Sequence, residues 1–547
     1  MTSASTSSNF DDRRTSASMS LRHSQSGRPS TPQHHLRSAN SSFASTSSAS
    51  SSLRGEEDAL IFEFGTRWLR AGFEGDSTPT CVVGCGPEES RRAGDYRGWL
   101  KGGLNADSSQ PTKPDEWASA FELWRMDLRD VDLGLVEDKV ERMFRETYNK
   151  FLLTDAGTAR LVLVLPSIMP HPLLSSVLST LFSRWRFPSI TLLPGPTMAA
   201  AAAGLRSALV VDLGWAETTV TGIYEYREIV TKRSTRAMRS LLQETGRFLT
   251  RLSSSGGDVD EITVGFEFCE EVVSRFVWCK PQTKKELEER LAALMSKNVS
   301  IPSPSNPGSN YLEIPFSKFA EPVEKVLFAE GVPVCALDDE EKPIALLVYS
   351  ALLQLPPDVR GICMSRIVFV GGGANIPGIR QRVLAEVSSL IEQHGWSPVR
   401  GRAVEQQRLK LQNLQIDEQS TPTAENNENA QPPPEPTAGK GDGKADDIED
   451  EEIDPVEEKL RRMRDKDSKP PVQGVLREVE SLGPWAGASL VAGLKIRSLV
   501  EIEREKYLQH GLAGASRDLD THGYVPDRRS GLRSGGDRSS WTLAGWG

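Results

Sequence analysis

The sequence is poor in the residues and runs from which several function classes are built. Only six of its 547 residues are cysteine and seven are histidine. Three of those histidines lie before residue 36 and the others are scattered, so none of them has the spacing of a zinc site. Cys81 and Cys85 form a CxxxC with no second pair to complete a metal cage. Few cysteines and no secretory leader pattern predict free thiols in a reducing compartment. No apolar run approaches the roughly eighteen residues that a membrane span needs, and the chain reads as soluble. HExxH, GxSxG and DxDxDG are all missing, which leaves zinc-hydrolase, serine-hydrolase and calcium-loop chemistry without residues.

Core-forming residues are also missing from long stretches. Residues 1–55 are Ser-rich with scattered Arg, and residues 415–470 combine "QPPPEP" with "DDIEDEEIDPVEEK". Neither has the apolar content to offset the entropy of ordering, so both are predicted to be disordered, and a tail at 511–547 is predicted to be flexible. The formal net charge of −10 therefore conceals a basic amino terminus and an acidic insert. Asp11 and Asp12 interrupt the basic stretch and argue against a mitochondrial presequence. Its arginines lack interleaved aromatics, which makes nucleic acid an unlikely partner.

What remains reads as an α/β protein. "ALIFEFGTRWLRAGFEGD" (59–76) predicts two strands around a tight turn at Gly65 and Thr66. Val140, Phe144 and Tyr148 mark one face of a helix over 137–152; "ARLVLVLPS" follows as a buried strand and "PLLSSVLSTLFSRW" as a helix. The pattern then restarts with a strand "PSITLLPG", a helix "PTMAAAAAGL" and a second hairpin at 207–229, "SALVVDLGWAETTVTGIYEYREI". Each hairpin begins with an apolar strand carrying an acid, one residue and a glycine: Glu63, Phe64, Gly65 and Asp212, Leu213, Gly214. That recurrence predicts two related α/β halves, 56–207 with a return at 471–510 and 208–414, each offering a loop to a shared cleft. A mixed region from 230 to 365 leads into the strand of "SRIVFVGGGANIPGIRQRV" (365–383), with a helix expected to begin at Pro377. "GPWAGASLVAGLKIRSLVEIEREKY" reads as one further helix with small residues on its early turns.

Glycine turns can hold phosphate through backbone N–H groups, and an acid beside them can hold a hydrated Mg²⁺. Gly373 to Gly378 has P-loop spacing, but Ile379 and Arg380 follow where Lys and Ser or Thr are required. Taken in order, the two hairpins, the glycine loop and "WAGASLVAGL" resemble the actin, hexokinase and heat-shock chaperone superfamily, and most nearly the actin-related proteins. The resemblance implies an actin-like ATPase (ribonuclease H-like) fold with a nucleotide cleft between its halves. It also implies ATP or ADP with Mg²⁺ as ligand. Glu63 and Asp212 would order the metal, Gly65, Thr66, Arg70 and Gly214 would meet phosphate, and Gly371, Gly372 and Gly373 would lie on the adenosine side.

Departures from the family pattern carry as much weight. Arg67 stands where actin has glycine, which predicts a left-handed strain in the first loop. Trp215 and Ala216 replace an Asp-Gly pair in the second, and the place of the water-orienting glutamine falls on Gly195. Phosphoryl transfer depends on positioning and electrostatics, so these changes predict a degenerate site that does not hydrolyse ATP effectively, with nucleotide held as a structural ligand or absent. The stretch from "LLTDAGTARLVLVLPS" to "SALVVDLG" and that around "SALLQLPPDVRGICMSRIVFVGGG" are similar to the divergent actin-related proteins at the pointed end of dynactin. That resemblance implies a cytoplasmic, cytoskeletal role: capping an actin-like filament, with filament and pointed-end subunits as partners and dynein indirectly. A nuclear actin-related subunit of a chromatin-remodelling complex and an active ATPase or sugar kinase on this fold are the alternatives.

Overall fold

The computed structural model of the chain describes residues 59–87, 113–125, 128–129, 131–154, 159–253, 261–282, 297–303, 311–333, 336–396, 474–494 and 501–512. All of them belong to the unit Gly55–Gly547. The expected Ser-rich tail, the acidic insert and nearly all of the carboxy-terminal tail lie outside the described residues.

β1 (Leu60–Phe64) and β2 (Trp68–Phe73) form the first predicted hairpin, with β3 (Cys81–Gly84) antiparallel to β2. A four-residue helix, α1 (Pro114–Trp117), precedes α2 (Leu133–Thr147). The Asp132 carboxylate caps α2 by accepting from Gly134 N at 2.9 Å and Leu135 N at 3.3 Å. Val140, Phe144 and Tyr148 are buried as their spacing predicts, although Tyr148 opens a π turn, Tyr148–Leu152. β4 (Leu161–Leu165) is buried at every residue because it pairs in parallel with β1 and, on its other edge, with β5 (Ser189–Pro194), so helices cover both faces. α3 (His171–Ser183) makes the crossover, and α4 (Gly195–Ala202) leads to the second half.

The second hairpin is longer than its sequence suggested. β6 (Ala208–Leu213) and β7 (Thr218–Tyr224) are followed by β8 (Arg227–Ser234), which continues past residue 229 through a β-bulge. α5 (Met238–Ser253) and α6 (Phe266–Phe276) come next. A two-stranded pair, β9 (Asn298–Pro302) and β10 (Tyr311–Pro315), lies within the mixed region. After α7 (Glu321–Leu327), α8 (Ile344–Gln354) and α9 (Pro357–Met364), β11 (Ile367–Val370) adds to β6 in parallel. β11-β6-β7-β8 is thus a second sheet, with β11 against β6 as β4 lies against β1.

The helix after the glycine loop, α10 (Ile379–His394), starts two residues beyond Pro377. Gly378, at φ 85°, takes the N-cap, because a turn over Gly372–Asn375 uses up the residues between. Ile379, Val383 and Val387 form its buried face as expected. The expected long carboxy-terminal helix is instead α11 (Pro484–Gly493), β12 (Glu501–Glu503) and α12 (Arg504–His510). β12 pairs with β5 and completes the first sheet, β12-β5-β4-β1-β2-β3. The small residues of α11 do allow close approach: a Cβ on Gly487 would fall 1.9 Å from the Met198 carbonyl oxygen of α4.

Two principal cores result. One gathers Phe62, Phe64, Phe144, Leu163 and Phe182, and the other Leu209, Leu241, Phe266, Leu347 and Val383. Trp117 and Ala118 pack into the second, whereas Leu123 and Trp124, six residues on, pack into the first.

Candidate functional site

A cleft of about 150 Å³ lies between the halves, and the turns of the two hairpins face it. Glu63, Gly65, Thr66, Arg70, Asp212, Gly214, Gly371 and Gly372 all line it; Gly373 does not. The two acids reach the cleft by equivalent routes, since Glu63 ends the pairing of β1 with β4 and Asp212 ends that of β6 with β11.

The acids are not alike electrically. Glu63 sits across the hairpin from Arg70, and Arg70 Nη1 donates to Glu63 Oε1 at 2.6 Å. Asp212 is buried, and that burial, reinforced by the negative charge of Glu63, pushes its carboxyl up to about 6 against the pull of Arg70. A third acid, Glu217 on the far side of the second turn, is pushed by burial up to about 7. Its Oε2 is buried without a hydrogen-bond partner. Among the described residues no group of three or more His, Cys, Asp or Glu could hold a metal ion.

Two of the three loop glycines answer to packing. Gly371 has φ 85°, and a Cβ there would lie 2.3 Å from Asp212 Oδ1 and 2.5 Å from the Leu213 carbonyl oxygen. At Gly373 it would meet Leu213 Cβ at 2.8 Å and Met238 Sδ at 2.9 Å. Only Gly372 faces open space, with nothing within 4 Å. In the first loop the Gly65 N–H is already donated to the Trp68 carbonyl at 2.9 Å, and the Leu123 N–H holds the Thr66 carbonyl at 2.7 Å.

Arg67 corrects an expectation. It is not among the residues with positive φ, so the loop carries no left-handed strain there. Its side chain is 3% exposed and reaches across to the second half. Nε and Nη2 donate to Glu270 of α6 at 3.2 Å each, and the guanidinium lies 4.1 Å from the Trp68 ring centre and 5.4 Å from that of Phe266. Trp215, from the second half, goes the other way: Nε1 donates to Glu122 Oε2 at 3.0 Å, and its ring stands edge-on to Phe266 at 5.7 Å. Gly195 is the first residue of α4 and lines the cleft. On the cleft wall, Ser167 donates to Glu228 of β8 at 2.7 Å, and burial raises that carboxyl.

Residues 54–251 match the family model described as actin. The chain carries an actin-family domain. Its similarity to individual actin-related proteins is low but extends over most of their length. Actin-related protein 2 of Acanthamoeba castellanii is 23% identical over 282 residues, 51% of this chain and 69% of that protein. Actin-related protein 2 of Arabidopsis thaliana is 22% identical over 345 residues, 60% and 81% of the two chains. Actin-related protein 10 of Dictyostelium discoideum is 19% identical over 355 residues, 60% and 73%.

For an actin-family cleft the donor set is a partial fit to a magnesium nucleotide. Asp212 and the open face at Gly372 suit it, whereas Glu63 and Arg70 are engaged with each other. Sequence reasoning missed Trp117, Phe121, Glu122, Arg239, Phe266 and Glu270, which bridge the halves beside the cleft. The available signal was five aromatics in "WASAFELW" and "GFEF" within stretches whose charge suggests surface. Among the described residues, no helix is long and apolar enough to cross a membrane, and Cys81, Cys85, Cys269, Cys279 and Cys363 are buried free thiols.

Proposed function

We propose that this chain is a structural actin-related protein of the dynactin pointed-end type, which ends an actin-like filament in the cytoplasm and does not turn over ATP. The observation that carries the proposal is the place of Gly195. At the start of α4, on the cleft wall, it offers no side chain to orient or polarise a water, and Trp215 supplies no second acid. Nearly all catalysis of phosphoryl transfer is positioning and charge stabilisation, so a cleft without those groups keeps little of the rate. The pointed-end reading rests on the two sequence stretches similar to the dynactin pointed-end family; actin-related protein 10 is one of the relatives the chain matches, at 19% identity against 22–23% for actin-related protein 2.

Asp212, Gly214, Thr66 and Gly372 are the residues that would hold a nucleotide with its metal. A bound Mg²⁺ would supply charge neutralisation between the acid and the phosphates. Asp212 would be ionised on binding it, Glu63 is paired with Arg70, and Gly372 offers bare backbone.

Purified full-length protein incubated with Mg-ATP should release no phosphate above background. Affinity capture from cells should recover actin-like filament subunits, other pointed-end subunits and dynein, with residues 415–470 present or removed. Steady hydrolysis at an actin-like rate would overturn the first half of the proposal. Recovery of a chromatin-remodelling ATPase in place of filament subunits would overturn the second.

A further inference from the structure

A segment crosses between the two halves beside the cleft. Residues 113–125 are fixed to the first half by Leu123 and Trp124 in its core, by Leu123 N donating to the Thr66 carbonyl, and by Lys139 of α2. The Lys139 ammonium donates to the Glu122 carbonyl at 2.6 Å and to that of Ser119 at 3.1 Å. The same segment is fixed to the second half by Trp117, whose Nε1 donates to the Val264 carbonyl at 2.7 Å, and by the Phe121 ring stacked 4.0 Å from that of Phe266. Gln243 donates to the Pro114 carbonyl at 2.8 Å, and Arg239 pairs with Asp115 at 3.0 Å.

The two attachments meet at Glu122, which is 2% exposed. One carboxylate oxygen accepts from Arg125 Nε at 2.8 Å; the other accepts from Trp215 Nε1 at 3.0 Å and lies 3.2 Å from Arg239 Nε. Arg125 belongs to the strap itself, while Trp215 and Arg239 come from the second half. The Arg67–Glu270 pair runs parallel to this hub from the first phosphate-type loop to α6. Parting the halves would break these pairings together, and a largely buried charge that loses its partner is costly.

We propose that residues 113–125 act as a cross-strap that holds the cleft closed through protein groups alone, with Glu122 as its hub and Arg67–Glu270 as a second tie. The strap takes over the bridging that a ligand between the two loops would otherwise provide. Cleft closure in this chain is therefore independent of nucleotide, and the inference stands whichever filament or complex the chain joins.

Hydrogen exchange on the full-length protein tests this. Protection of residues 60–70 and 262–272 should be the same with Mg-ATP, with Mg-ADP and after exhaustive removal of nucleotide. Trp215→Phe keeps a ring but removes the donor to a charged acceptor, and should speed exchange in both segments by roughly tenfold or more. Glu122→Gln should do the same, and in neither variant should α12 change. Unchanged exchange in both variants would overturn the proposal. So would a uniform rise that includes α12, or protection that disappears with nucleotide in the unmodified chain.

Discussion

The buried acid at Glu217 sets up a measurable dependence of stability on pH. Burial dominates its environment. Arg233, whose charge favours the ionised acid, is itself paired with Glu340 at 2.8 Å, and Asp212 adds negative charge. The carboxyl is consequently raised from 4.5 to about 7. Because the folded-state value lies above the unfolded one, the folded chain binds the proton more tightly between those limits. Stability therefore falls as pH rises from about 4.5 to about 7, and the full cost of the ionised acid is present above that window. At ~1.4 kcal/mol for each pH unit, the cost is about 3 kcal/mol. Glu217→Gln removes the charge but leaves an amide to be satisfied, which returns about 1 kcal/mol. We expect the variant to be more stable than the parent by about 2 kcal/mol at pH 8 and equal to it or slightly less stable at pH 4.5. Urea unfolding followed by tryptophan fluorescence at four pH values measures both. A difference between the two proteins that is the same at pH 4.5 and pH 8 would refute the reasoning.

Four further substitutions test packing, ligand holding and helix capping. Gly371→Ala should destabilise the fold by about 3 kcal/mol or more, since it combines φ 85° with a Cβ pressed on the Leu213 carbonyl, whereas Gly372→Ala should leave thermal stability within about 0.5 kcal/mol. Any effect of Gly372→Ala on retained nucleotide, read by chromatography of the denatured protein, then reports ligand contact alone. Gly487→Ala should force α11 from α4 and lower yield or unfold the protein outright, checked by circular dichroism, because a rigid backbone oxygen lies 1.9 Å from the new Cβ. Asp132→Ala should cost about 1 kcal/mol by removing the cap of α2, measured by urea midpoint.

Local pattern carried the fold a long way. β4, with five consecutive apolar residues, and β6, with its acid two residues before glycine, are legible because burial on both faces demands such runs and a cleft-facing strand end demands the acid. β8 and the β9–β10 pair were less so. β8 is an edge strand of mixed burial, and the turn residues near β9 and β10 masked their short apolar alternation. The single helix expected across 484–507 failed at Leu494, where continuous apolar periodicity hides the strand that β5 requires at its edge. At the site, the structure brings Glu63, Asp212, Gly65, Gly214, Gly371 and Gly372 to one cleft and leaves Gly373 out of its lining; the sequence could not tell which glycine is bare for a ligand and which for a neighbour. That distinction depends on β6 passing under the loop, a contact between residues more than a hundred positions apart.

The same limit explains why Arg67 and Trp215 looked like two independent losses. In sequence each is a bulky residue in a turn that the family pattern keeps open. In the fold they share a ring: Arg67 lies 5.4 Å and Trp215 5.7 Å from Phe266, and Phe121 stacks on it at 4.0 Å. Each side chain crosses to the opposite half, Arg67 to Glu270 and Trp215 to Glu122. Restoring the glycine at 67 would remove the pair that Arg67 makes with Glu270, and restoring the acid at 215 would set a carboxylate where Glu122 now accepts a hydrogen bond. Neither family residue fits while the other bulky residue and the strap remain. The two bulky loop residues and the bridging of the cleft are therefore one structural feature, in which both side chains reach across to the opposite half and meet at Phe266.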